Sequence, residues 1–243
     1  VLANIKNMRK ITLLFVLLFC FNSYSQTKYY TVNGETIMSK REVDIKILQI
    51  KDLTSQSLKE EAFVTFKREK SISRNDYILV FGKFEVKNAK ALNNYLERYI
   101  NKKNPNYKLK TIEGKEISLK DYHGKPTLIN FWFTRCPPCI KEMPVLNEMK
   151  RDYGHEFNFI SITYENMESV ENFLKKHEFN FDHIISADKL IENLDVRAFP
   201  LNLIIDKNGV IKYAKDGIPM VHKDGKLEIG DGKEFLELLS SLK

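Results

Sequence analysis

A chain of 243 residues has room for one large domain or two ordinary ones, and fractions of 43% hydrophobic and 29% charged residues are those of a packed globule with a solvated surface. The formal net charge of +7 admits anionic partners, yet the basic residues are dispersed rather than clustered, so nucleic-acid binding finds no support beyond the charge. No internal repeat appears, and no long Pro/Gly/Ser tract interrupts the chain.

Lys6, Arg9 and Lys10 precede the apolar run ITLLFVLLFCF (11–21), followed by NSYSQ with small residues at Ser23 and Ser25. This is the pattern of a secretory signal over 1–25, with Met8 as initiator and cleavage expected after Ser25. An apolar run of 11 residues falls well short of the ~20 that a membrane-spanning helix needs. Leu18 and Phe19 stand before Cys20 where a lipobox wants small residues, which argues against lipidation. Cleavage leaves Cys136 and Cys139 as the only thiols. An exported protein meets oxidising conditions, and with no further cysteine pair its core has to stand on packing.

Residues 26–104 carry 16 Lys/Arg against 10 Asp/Glu, whereas 105–243 carry 20 against 22. The basic half can meet anionic lipid or an acidic partner, but its dispersed lysines read first as solvated surface. Within it, KYYTVN (28–33) reads as a short strand ending at Asn33-Gly34. Ser39 and Glu42 have capping-box spacing, and Val43, Ile47, Ile50 and Thr54 follow on one helical face. AFVTF (62–66) and YILVF (77–81) read as strands, and ALNNYLERYI (91–100) as an amphipathic helix presenting Leu92, Tyr95, Leu96 and Tyr99. The expectation is a small α+β unit over 26–104, bounded by the polar stretch NKKNPN (101–106).

Beyond the boundary, TLINFWF (127–133) is near-continuously apolar, as in a strand covered on both faces. A helix from Pro137 to Tyr153, a strand over 157–164, a helix over 168–177, a strand over 181–187 and a short helix over 189–194 follow. Two strands, 201–206 and 210–215, are joined through Lys207-Asn208-Gly209 as a hairpin, and a helix over 232–242 closes the chain. The alternation predicts an α/β fold: a mixed sheet flanked by helices and ending in an antiparallel pair.

Cys136 and Cys139 lie where the buried strand gives way to a helix. A tetrahedral zinc site needs about four ligands, and His123, His155, His177, His183 and His222 are scattered singly, so no metal is expected. Ile140 stands where covalent haem attachment requires histidine. An inert bridge across two residues would constrain little chain. The redox reading accounts for the neighbours. The free amides and dipole of a helix N-terminus favour a thiolate at Cys136, and positions i and i+3 are within disulfide reach. Pro137 and Pro138 are tolerated in a first turn while withdrawing two donors, which leaves the amides of Cys139 and Ile140 for the sulfur. Glu142, three residues after Cys139, can exchange a proton with the buried thiol or be an ordinary first-turn acid. Pro144 is expected to kink the helix.

GKPTLINFWFTRCPPCIKEMP, with AFPLNLIIDKNG some sixty residues later, resembles the TlpA/ResA-like thiol-disulfide oxidoreductases of the thioredoxin superfamily over roughly residues 105–243. The resemblance implies a thioredoxin-like fold with Cys136 as attacking and Cys139 as resolving thiol, Glu142 as the active-site acid, and Pro200 as a cis-proline facing the disulfide. It matches the strand and helix at 181–194 to the insertion that sets this family apart, and Asn130 to a position where many thioredoxins carry aspartate. Trp132, Arg135, Pro137, Pro138, Phe199 and Pro200 then support or border the substrate groove. Arg135 replaces a common tryptophan, Phe199 a smaller residue, and Leu201 and Asn202 a threonine pair.

The implied activity is an exported oxidoreductase of the periplasm or cell envelope. It would act on cysteine-containing envelope proteins, be recharged by a membrane electron donor, and use no cofactor beyond the Cys136–Cys139 disulfide. A cysteine peroxidase on the same fold would need Thr or Ser three residues before the attacking cysteine, where Phe133 stands. A non-catalytic binding module, with 26–104 as adaptor, is the third possibility.

Overall fold

The computed structural model describes residues 26–32, 34–58, 62–87, 89–103, 105, 107–223 and 226–243. The signal expected over 1–25 therefore lies outside the described residues, as do Asn33, Asn104 and Asn106 within the expected turn and linker.

The first region builds its own three-stranded sheet from β1 (Thr27–Thr31), β2 (Phe63–Ser73) and β3 (Tyr77–Lys87), in the order β1-β3-β2. β1 runs parallel to β3 and β2 antiparallel to it. Helix α1 (Lys40–Leu58) starts at the capping box: the Glu42 amide donates to Ser39 Oγ at 3.2 Å, and the Ser39 amide donates to Glu42 Oε2 at 2.7 Å. Val43 and Ile47 press from α1 onto Met38, Ala62 and Val64 as a small core. β2 and β3 run well beyond their apolar runs. The extension of β2 (67–73) pairs with the apolar run of β3, and that of β3 (82–87) with the apolar run of β2. Ladder hydrogen bonds hold both, and the side chains of 67–73 are mostly exposed, so hydrophobic alternation does not mark them. A register shift between Arg68 and Lys70 falls opposite Gly82, where a Cβ would lie 2.3 Å from the Lys67 carbonyl oxygen.

Helix α2 (Ala89–Glu97) buries Leu92 and Tyr95, and Tyr99 is buried just past its end. These three, with Phe63, belong to the core of the second region rather than to the small one. That region is a seven-stranded sheet in the order β10-β9-β6-β7-β8-β4-β5. Its strands are β4 (Leu109–Thr111), β5 (Glu116–Ile117), β6 (Thr127–Phe131), β7 (Asn158–Ile162), β8 (Asp182–Ile185), β9 (Leu201–Ile205) and β10 (Ile211–Lys215). Helices α3 (Pro137–Tyr153), α4 (Met167–Leu174), α5 (Asp188–Asn193) and α6 (Lys233–Ser240) complete it. β6, β7 and β8 are mutually parallel and β9 and β10 antiparallel, a thioredoxin-like fold in which β8 and α5 are the additional strand and helix.

Every residue of β6 and β9 is buried, so neither strand alternates in sequence. β6 ends at Phe131; Trp132 and Phe133, read as strand from their apolarity, instead lie buried in the segment leading to Cys136. Pro144 sits inside α3 without ending it. The β4–β5 pair was not legible because two and three residues are too few to show a period. A hairpin of β11 (Met220–Lys223) and β12 (Lys226–Ile229) also escaped the sequence reading: it stands off the main sheet, with Met220 and Val221 exposed.

Candidate active site

The turn from β6 into α3 places the two cysteines. Cys136 is the N-cap of α3 in extended conformation (φ −99°, ψ 97°), and Pro137 and Pro138 open the helix. Cys136 and Cys139 are joined as a disulfide with Cα atoms 5.3 Å apart. The Cys139 amide donates to Cys136 Sγ at 3.3 Å. The Ile140 amide, expected from sequence as a second donor to this sulfur, is instead 3.0 Å from the Cys136 carbonyl oxygen in the first helical hydrogen bond. With two prolines in the turn, one backbone donor remains for a Cys136 thiolate.

Glu142 lies one turn below Cys139 on the same face of α3 and is fully buried. Three donors converge on its carboxyl group. Asn130 Nδ2 is 2.7 Å from Oε1, the Ile218 amide 3.0 Å from Oε2, and Asn202 Nδ2 3.3 Å from Oε1 and 3.4 Å from Oε2. Asn130 also donates to Asn202 Oδ1 at 2.9 Å, the two asparagines being direct cross-strand partners on β6 and β9. Burial pushes the carboxyl up to about 7, with the Ile218, Asn202 and Asn130 hydrogen bonds opposing it. An acid that titrates near neutrality, buried one turn below a thiol, is matched to proton exchange.

Phe199–Pro200 is a cis peptide at the start of β9. Gly217 closes this side: at φ +140°, a Cβ there would lie 3.4 Å from both Glu142 Oε2 and Pro200 Cγ. Phe199 packs edge-on to Phe133, with ring centroids 5.4 Å apart, and against Tyr164 at 6.0 Å. Trp132 is enclosed by Phe173, Phe179 and His183 and supports the turn from beneath rather than lining a groove.

The other sequence-selected residues, Arg135, Pro137, Pro138, Phe199 and Pro200, line a cleft of about 1590 Å³ whose opposite wall comes from α1 and α2. The N-terminal region thus faces the disulfide, a placement not legible in sequence. Cys136 is 0% and Cys139 1% exposed, so the sulfurs lie just beneath this cleft's floor. At one end of α1, Arg41 pairs with buried Glu165, which also accepts from the Thr134 amide at 2.6 Å and Thr134 Oγ1 at 3.0 Å. Lys40 pairs with buried Asp44 and lies 5.3 Å from the ring centroids of both Tyr164 and Phe199. Burial raises the Asp44 carboxyl, with Lys40 opposing. Past α2, Arg98 holds Asp195 Oδ2 at 2.6 Å and the Arg197 amide donates to Tyr95 Oη at 2.9 Å, on the segment leading to Phe199.

Asn202, Glu165 and the Ile218 amide were not assigned site roles from sequence. For Asn202 a signal existed: an amide side chain in the apolar strand LNLII needs a buried partner, as does Asn130 in TLINF. The Ile218 amide had none, because a backbone donor is defined by fold alone.

Comparison with known proteins finds relatives of the region that holds this site. The profile of the AhpC/TSA family matches residues 100–214. The thiol-disulfide oxidoreductase ResA of Bacillus cereus is 37% identical over 115 residues, covering 46% of this chain and 66% of ResA. ResA of Geobacillus kaustophilus is 35% identical over 117 residues, 46% of this chain and 67% of that protein. A thiol:disulfide interchange protein of Chlorobium tepidum superposes with a TM-score of 0.48 at 21% identity, covering 58% of this chain and 96% of that one. The chain belongs to the ResA-like family of thiol-disulfide oxidoreductases, and it spans about two thirds of the length of these curated relatives.

Proposed function

We propose that the protein is exported and reduces disulfides of cell-envelope proteins through Cys136 and Cys139. The observation that carries this reading is the paired sulfurs at the N-terminus of α3 with a buried, near-neutral carboxyl one turn below. In the reduced form, the Cys136 thiolate attacks one sulfur of the substrate disulfide. A Cys136–substrate disulfide forms and the other substrate sulfur leaves as thiolate. Cys139 passes its proton to Glu142 and attacks Cys136 Sγ, closing the internal disulfide and expelling the second substrate thiolate. Two electrons pass from the dithiol to the substrate, so the reading asks for no further cofactor. Each turnover leaves an oxidised pair, which a membrane-associated dithiol donor must reduce. Because both sulfurs are covered in the disulfide form, the floor of the cleft has to open for exchange to begin.

The division into 26–104 and 105–243 belongs to the same proposal. Cys136, Cys139, Glu142 and Pro200 all lie in the second part, and the first shapes the approach to them. A peroxidase reading is weakened by position 133, a buried phenylalanine, while the Thr134 hydroxyl is engaged by Glu165.

The test is disulfide reduction in insulin by the reduced protein. Cys136→Ser is expected to abolish it, and Cys139→Ser to accumulate mixed disulfides through Cys136. Rapid peroxide consumption without thiol exchange would instead select the peroxidase.

A further inference from the structure

β10 is the outer strand of the seven-stranded sheet, and among the described residues its edge is paired at the start. There the Asn101 amide donates to the Ile211 carbonyl oxygen at 2.8 Å, the Ile211 amide donates to the Lys102 carbonyl oxygen at 2.9 Å, and Lys103 bridges Val210 in antiparallel sense. Past Ile211, among the described residues, no strand and no backbone hydrogen bond reaches the outer edge of Tyr213, Ala214 and Lys215. These three residues border the cleft. An edge of this kind is a template for an added strand, and the chain's own segment already pairs along it.

The edge also leads to the chemistry. Two residues beyond Lys215, Gly217 packs against Glu142 and Pro200. Across the cleft stand Leu48 and Leu96, with Gln49 and Asn93 exposed on the same wall. The volume of about 1590 Å³ exceeds the ~300–1,000 Å³ of small-molecule sites. A cleft that runs beside an unpaired strand edge offers an extended chain both backbone partners and side-chain walls.

We infer that the Tyr213–Lys215 edge of β10 binds an extended segment of the substrate protein as an added strand, which carries the substrate cysteine toward Pro200 and Cys136. The inference rests on the thiol-exchange reading and narrows its substrates to cysteines in extended or partly unfolded segments.

Two measurements on the full chain test it. In the first, S-carboxymethylated insulin B chain, which cannot react, is added while amide hydrogen exchange is followed. Slowed exchange at residues 213–215 supports the strand, and unchanged exchange there at saturating peptide overturns it. Exchange that is slow without peptide and quickens when residues 1–25 are removed would name the chain's own leader as occupant, and also overturns it. In the second, Gln49→Trp with Asn93→Trp fills the cleft from exposed positions on the wall opposite Arg135, Pro137 and Pro200. The expected result is a KM for insulin raised about tenfold at unchanged kcat, with kcat/KM for glutathione disulfide held within about twofold. Equal effects on both substrates, or none on insulin, overturn the inference. Inactivity of the parent protein on both disulfides would defeat the thiol-exchange reading, while the exchange measurement still decides the strand.

Discussion

The two regions differ in how their order is secured. In the second, central strands buried on both faces, a continuous core and the Asn130–Asn202–Glu142 cluster hold the disulfide in a rigid frame. In the first, the sheet is largely exposed over a core of five buried residues. Much of its anchoring comes from what it inserts into its neighbour: Leu92, Tyr95 and Tyr99, and the Arg41 and Arg98 ion pairs. The contrast is one of local stability: a docked unit with a small core of its own is the part expected to open more readily, while the frame around the disulfide stays fixed.

Separating the regions is the most severe test. A 105–243 fragment loses Phe63, Leu92, Tyr95 and Tyr99 from its core, and burial of a large apolar side chain contributes ~1.5–3 kcal/mol. The fragment is expected to fold, with Tm lower by roughly 20 °C or more, and still to exchange thiols with a small disulfide. Circular dichroism with heating and a glutathione disulfide assay check this. An unfolded fragment would show that the first region completes the catalytic core.

Glu142→Gln tests the rigid frame. Removing the proton acceptor is expected to slow resolution of the mixed disulfide by about 10²-fold or more at neutral pH, with attack by Cys136 affected less, read by rapid-quench kinetics. Stability carries a second signature. The folded carboxyl titrates near 7 against 4.5 for its ordinary value. Wild type therefore loses stability as pH rises from about 4.5 to about 7, where the unfolded chain has released a proton that the folded one retains. The variant lacks this loss. Its stability relative to wild type should improve across that window by up to ~3 kcal/mol, measured by urea unfolding at several pH values. Lack of any such trend would place the carboxyl in an ordinary, ionised environment.

Asn202→Ala is a milder change to the same cluster. It deletes one of the donors that favour the ionised carboxyl, so the midpoint of the resolution rate against pH should move above about 7. The hydrogen-bond loss should cost ~1–3 kcal/mol. A lower rate with an unmoved midpoint would mean that Asn202 only packs.

What the sequence disclosed follows the same divide. The thiol pair, the acid one turn on and the strand–helix alternation are local patterns, so they were readable from spacing. The pairing of Asn130 with Asn202 joins strands 72 residues apart, and the α1 wall sets residues 45–55 across the cleft from 135–142 and 199–200. Neither leaves a periodic trace. The lengths of β2 and β3 escaped because ladder hydrogen bonds, not a buried face, sustain their extensions.

The smallest effect compares two docking contacts of the first region. Arg41 neutralises Glu165, whose side chain is only 2% exposed, whereas Lys28 meets Glu192, which is 44% exposed. Arg41→Ala leaves a buried carboxylate with the Thr134 donors alone, at a cost of ~1–3 kcal/mol. Lys28→Ala should cost less than ~0.5 kcal/mol, since solvent screens that pair. The sharper readout is kinetic. Thr134 adjoins Arg135, so the Arg41–Glu165 contact ties α1 to the turn that carries Cys136. Loosening it should speed reduction of the Cys136–Cys139 disulfide by dithiothreitol several-fold, while Lys28→Ala leaves the rate unchanged. If Arg41→Ala lowers stability but does not quicken reduction, the α1 wall is an anchor and access to the sulfurs opens elsewhere.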